Sequence, residues 1–107
     1  MNRVRFWGAA AWVFAAAMSP SYADNLKEGE ALLTRDCSRC HAVGTNGASP
    51  RADAPAFRTL SSRYPIESLE EALGEGIMSG HPEMPEIKYD ADDIGAIVDY
   101  LNSIQQR

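Results

Sequence analysis

Past residue 12 this 107-residue chain has no tryptophan, and lysine and cysteine occur only twice each. No stretch alternates apolar and polar residues as a half-buried strand does, which argues against a sheet-based fold. There is no internal repeat, low-complexity tract or linker, so the length suits one small domain. Positive charge is scarce. Residues 24–107 hold all 15 acids and eight of the ten bases, a formal charge of −7. That balance argues against nucleic acid and against an anionic membrane surface, and leaves a basic partner protein open. The cysteines, Cys37 and Cys40, would close a tiny loop, and a disulfide there restrains little of the unfolded chain. A domain this short usually needs a staple, so something other than these cysteines is expected to fill its middle.

The opening residues differ in kind from the rest. Asn2-Arg3-Val4-Arg5 is a short basic start, Phe6 to Met18 is an apolar run of 13 residues, and Ser21-Tyr22-Ala23 puts small residues at −3 and −1 of a cut before Asp24. This order is that of a secretory signal peptide. A helix of 13 residues rises only about 20 Å against roughly 30 Å of hydrocarbon core, which disfavours a permanent anchor. Without a twin arginine, or a cysteine near the cut, export is expected to be Sec-type. The reading is therefore a cleaved Sec-type signal peptide over 1–23 and a domain over 24–107 that works in the periplasm of a Gram-negative bacterium, with no membrane span after cleavage.

Three helices are expected in that domain. The first covers about Asn25 to Asp36, capped by Asp24 or Asn25, with Leu26, Gly29, Leu32 and Leu33 on one face. The second covers about Ile66 to Gly74, with its start marked by Tyr64-Pro65, Ser68 and Glu71 as a capping pair, and Ile66, Leu69, Ala72 and Leu73 on one face. The third covers about Ala91 to Gln105, with Asp90 as N-cap and a stripe of Ile94, Ile97, Val98, Leu101 and Ile104. Two glycine- and proline-rich loops, 42–63 and 74–90, join them. Long loops in a small helical domain are usually functional or wrapped around something.

Cys37-Ser38-Arg39-Cys40-His41 is a C-x-x-C-H sequence, the pattern of covalent c-type haem attachment. Cysteines three apart lie on one side of a helical turn, matching the two vinyl groups along one haem edge, and the next histidine can offer its imidazole to the iron. A thioredoxin-like redox pair expects a βαβ setting, which this chain lacks. A zinc site could draw on Cys37, Cys40, His41 and His81, but the adjacent Cys40 and His41 strain a tetrahedral site and no second cysteine pair exists. A plain disulfide is the remaining alternative.

Across nearly all of 24–107 the chain resembles a small bacterial class I c-type cytochrome. The order of N-terminal helix, Cys37–His41, Pro55-Ala56-Phe57, middle helix, Met84-Pro85 and C-terminal helix carries the resemblance. It implies an all-α cytochrome c-like domain of about three main helices with long loops around one covalent haem c per chain. Cys37 and Cys40 are then the thioether links, and His41 and Met84 the axial iron ligands. His81 and Met78 are rivals to Met84, and exchange to His81 at high pH or on oxidation is a further expectation. The resemblance also implies that the His41 imidazole donates to the carbonyl of Pro55, with Pro50 a weaker candidate, and that Gly29 lies where the terminal helices cross, with Leu33 one turn on and Ile97 and Tyr100 facing the two. The family's usual tryptophan near a haem propionate is missing here, and Arg51, Arg58, Arg63, Tyr64 or Tyr89 could serve instead. With only Lys27 and Lys88, the docking surface is expected to be acidic or apolar.

The implied function is periplasmic electron transfer, not enzymatic catalysis. The protein would carry one electron from a dehydrogenase or quinol-oxidising complex to a terminal oxidase or reductase, as a monomer or in transient complexes with those redox partners. A dedicated haem subunit of one oxidoreductase is a second reading. A sensor or enzyme with an open iron position is a third, and a haem-free thiol or zinc protein a fourth.

Overall fold

A computed structural model describes Gly8 and residues 21–76 and 87–107. Among them are helix α1 (Tyr22–Cys37), 3-10 turns at Phe57–Ser62 and Ile66–Ser68, helix α2 (Leu69–Glu75) and helix α3 (Ala91–Ile104), with no strand. The all-α expectation holds. α3 forms as its sequence dictates: the Asp90 carboxylate caps it by accepting from the Asp93 amide at 2.8 Å. Ile97, Val98, Leu101 and Ile104 are buried and Ile94 packs partly against the same core. α1 begins three residues earlier than expected. Ser21, not Asp24 or Asn25, is its N-cap, in a reciprocal capping box with Asp24 at the third helical position. α2 is shorter than expected because Ile66–Ser68 winds as a 3-10 turn. Ser68 therefore sits in the right-handed helical region (φ −64°, ψ −14°) and makes no side-chain cap.

The core lies between α1 and α3. Leu32 and Leu33 meet Ile97, Val98, Tyr100, Leu101 and Ile104, and Phe57, Leu60, Ile66, Leu73 and Tyr89 close the sides. Burying one such side chain stabilises by roughly 1.5–3 kcal/mol. The close approach depends on Gly29, where a Cβ would meet the Ala96 carbonyl oxygen at 2.2 Å and the Tyr100 Cβ at 2.8 Å. Tyr100 faces Gly29 as expected, beside the Ala96 backbone, and Ile97 shares the core with Leu33. The 3-10 turn at Phe57–Ser62 falls inside what reads as loop in the sequence. It is tied to the far end of the chain: the Gln105 side chain accepts from the Ser61 amide and donates to the Phe57 carbonyl, both at 2.8 Å. These contacts fix the frame on which the stretch from Cys37 to Phe57 is hung.

Candidate haem-attachment site

α1 ends at the site. The Cys37 carbonyl accepts from the Cys40 amide at 3.2 Å and from the His41 amide at 3.0 Å, so the helical turn continues through Cys37–His41. The Ser38 hydroxyl donates back to the Thr34 carbonyl and helps close the same turn. Cys37 and Cys40 are half-buried and not bridged to each other. Burial first, then the nearby Asp36 carboxylate and Cys40, push the Cys37 thiol up to about 11. Raised in this way, Cys37 is poorly suited to thiolate redox chemistry, which needs a lowered pKa. Among the described residues no group of three His, Cys, Asp or Glu side chains could hold a metal ion.

His41 is 6% exposed, and its ring stacks on Phe57 with centroids 4.6 Å apart. Its Nδ1 lies 2.7 Å from the Pro55 carbonyl oxygen. A carbonyl only accepts, so Nδ1 carries the proton in this contact and the ring's orientation is set by it. Pro55 is thus the acceptor, as the resemblance implied, and Pro50 is not. The loop that delivers Pro55 is itself held by the site: Arg51 N donates to the Cys40 carbonyl at 3.1 Å, Phe57 N to the Ala42 carbonyl at 3.0 Å, and Ala42 N to the Ser49 hydroxyl at 3.0 Å. Tyr100, on α3, donates its hydroxyl to the Val43 carbonyl at 2.6 Å. Two cysteines one turn apart, beside an oriented and buried imidazole, are a donor set that fits a covalently held haem.

Met84, Met78 and His81 lie outside the described residues. Of the residues considered for the propionates, Tyr89 is committed elsewhere: its hydroxyl donates to Asp36 at 2.7 Å. The Asp36–Tyr89 link and the Phe57 stack were missed from sequence. The first spans 53 residues and has no local signal. The second had one, since Phe57 follows Pro55 by two positions.

A small helical domain with a C-x-x-C-H turn and a carbonyl-oriented histidine defines a class, the proteins that hold haem covalently. The cytochrome c family model matches residues 26–105. The chain belongs to the cytochrome c family, with haem c as its covalent cofactor. It is 31% identical over 71 residues to cytochrome c6 of Picosynechococcus sp., covering 63% of this chain and 61% of that protein. The chain therefore spans about three fifths of the length of the curated relative it matches. No solved structure matches. Among the described residues no helix is long and apolar enough to cross a membrane.

Proposed function

We propose that this protein is an exported monohaem carrier in which Cys37 and Cys40 form the thioether links and His41 and Met84 hold the iron. The observation that carries the reading is the 2.7 Å contact of His41 Nδ1 with the Pro55 carbonyl. It orients the ring as an iron-binding imidazole would need, and a donated N–H would make the ring a stronger ligand. Met84-Pro85 completes the set by its place in the sequence between the middle and last helices. Haem held there would supply a one-electron couple, and ligation by His41 and Met84 would raise its potential. Cys37 and Cys40 would hold the ring and His41 the iron, and Phe57 packs on the imidazole to keep water from that side.

Residues 1–23 direct export and are then removed. The cut takes away Ser21 and the first two residues of α1 and leaves Asp24 and Asn25 to cap the shortened helix. In the periplasm the carrier accepts an electron from a dehydrogenase or quinol-oxidising complex and passes it to a terminal oxidase or reductase, binding each transiently.

The test is spectroscopic. The protein is produced by export with haem-attachment machinery and recorded oxidised, reduced and as the denatured pyridine haemochrome. A c-type haemochrome, low-spin bands and a far-red methionine-to-ferric-iron band are expected. Met84→Ala removes that far-red band and Met78→Ala keeps it. Haem released by acid-acetone overturns the attachment assignment, and a high-spin ferric spectrum overturns the Met84 assignment.

A further inference from the structure

The last turn of α1 carries a charge cluster that the attachment reading does not use. Asp36 precedes Cys37, and its side chain is 11% exposed. Its two oxygens accept from Arg35 Nε and Nη2, each at 2.8 Å, and Oδ2 also accepts from the Tyr89 hydroxyl at 2.7 Å. Consecutive residues on a helix do not face each other, so the Arg35 side chain bends aside to make this fork. Tyr89 is 8% exposed, and its amide is anchored on the Leu73 carbonyl at 3.2 Å. It thus reaches Asp36 from a fixed position. The compensation is uneven, because the Arg35 side chain is 64% exposed. Solvent and salt screen an exposed cation more than an anion covered by protein. A net negative field is left at the first of the two attachment cysteines, and the upward push of the Asp36 carboxylate on the Cys37 thiol agrees with it.

We propose that Asp36 is a potential-setting residue of this carrier: its carboxylate, held beside Cys37 by Tyr89 and Arg35, favours the oxidised form of the group attached there. The inference rests on haem attachment at Cys37. The couple takes one electron from the donor protein and gives one to the acceptor, with no atom transferred, and the oxidised form carries one more positive charge. A fixed anion nearby therefore favours oxidised over reduced and lowers the midpoint potential. Arg35 acts with the opposite sign and less strongly. Tyr89 is neutral and positions the carboxylate.

A purely structural strut between the end of α1 and the residues before α3 makes a different forecast. Losing any member would then loosen the same contact and move the potential in one direction. The test is a spectroelectrochemical titration of the haem-loaded protein at low salt. Asp36→Asn is expected to shift the reduction equilibrium toward the reduced form on the order of tenfold, which is about 59 mV upward for one electron. Arg35→Gln is expected to shift it a few-fold the other way, by an amount that shrinks in high salt. The double variant Asp36→Asn with Arg35→Gln should fall between them, and Tyr89→Phe within about twofold of wild type, since both charges remain. If Asp36→Asn fails to fold, the sign of the exposed Arg35→Gln shift still decides. Shifts of one sign for Asp36→Asn and Arg35→Gln, an Asp36→Asn protein within twofold of wild type, or an upward shift for Arg35→Gln overturns the inference alone. A wild-type haemochrome without covalent haem overturns the attachment reading, and this inference with it.

Discussion

Replacing Gly29 by alanine adds one methyl group where the structure has no room for it. The new Cβ would stand 2.2 Å from the Ala96 carbonyl oxygen, 2.7 Å from its carbon and 2.8 Å from the Tyr100 Cβ. Two of these neighbours are backbone, so no side-chain rotation relieves the clash. α1 and α3 must separate by about 1 Å, a gap that forfeits a quarter to a half of the dispersion well of each contact across the crossing. Overpacking of this kind costs about 1–3 kcal/mol, and rigid backbone on the far side argues for the upper end. The substitution also gains about 1 kcal/mol of helix propensity. The net loss is about 2 kcal/mol, or a fall of about 8–16 °C in Tm for a domain of this size. Gly95 is the control. It lies within α3 on the exposed side with nothing within 4 Å of a built Cβ. Gly95→Ala should therefore show the propensity gain alone and raise Tm by about 4–8 °C. Thermal melts of the two haem-loaded variants, followed by circular dichroism, give the comparison. Gly29→Ala as stable as wild type would refute the argument, and Gly29→Leu should be less stable than either.

Gln105→Ala removes side-chain bonds to Ser61, Phe57 and Leu101. At about 1 kcal/mol net for each bond, urea unfolding should show a loss of roughly 2–3 kcal/mol. Tyr100→Phe deletes the bond to Val43 and should cost about 1 kcal/mol in the same assay. Asp36 supplies a pH dependence. The Arg35 bond first, and then the Tyr89 hydroxyl, hold its carboxyl below the usual value of 3.8. Its folded pKa lies below its unfolded one, so its stabilisation is complete above the unfolded value and is lost as pH falls through the folded one. The stability gap between wild type and Asp36→Asn should stay constant above about pH 5 and narrow below the ordinary aspartate range, with equal gaps at pH 6 and pH 3 counting against it.

The parts of this fold legible in the sequence are those written in local pattern. The α3 stripe and its Asp90 cap, the Leu32–Leu33 face of α1, and the C-x-x-C-H turn each depend on steps of four positions or fewer. The Pro55 acceptor was legible only through the family resemblance, because it lies 14 residues from His41. The start of α1 was misjudged because Ser21 and Tyr22 read as part of the export segment and the third helical residue is Asp24, not the usual glutamate of a capping box. Ser68 looks like a cap in sequence, but the preceding 3-10 turn gives it helical angles and turns that role away. The turn at Phe57–Ser62 has no local signal at all. It is held by Gln105, more than 40 positions on.

The same non-local ties explain how a stretch without regular structure can hold an imidazole in one orientation. Between Ala42 and Ala56 there is no helix, so backbone polar groups there lack a ladder and need other partners. The partners come from both sides of the site. Cys40 and Ala42 offer carbonyls to Arg51 and Phe57, Tyr100 donates to Val43, and Arg58 donates to the Gly47 carbonyl at 2.8 Å. Gly47 makes this last contact with a φ of 88°, a conformation that favours glycine. Each tie crosses from the loop to the C-x-x-C-H turn, to α3 or to an element packed on α3. The position of Pro55, and through it the tautomer of His41, is therefore a property of the whole α1–α3 pairing and not of the loop alone. A change at the helix crossing, 12 residues before His41 in the chain at Gly29, should for that reason be felt at the imidazole as well as in the melting temperature.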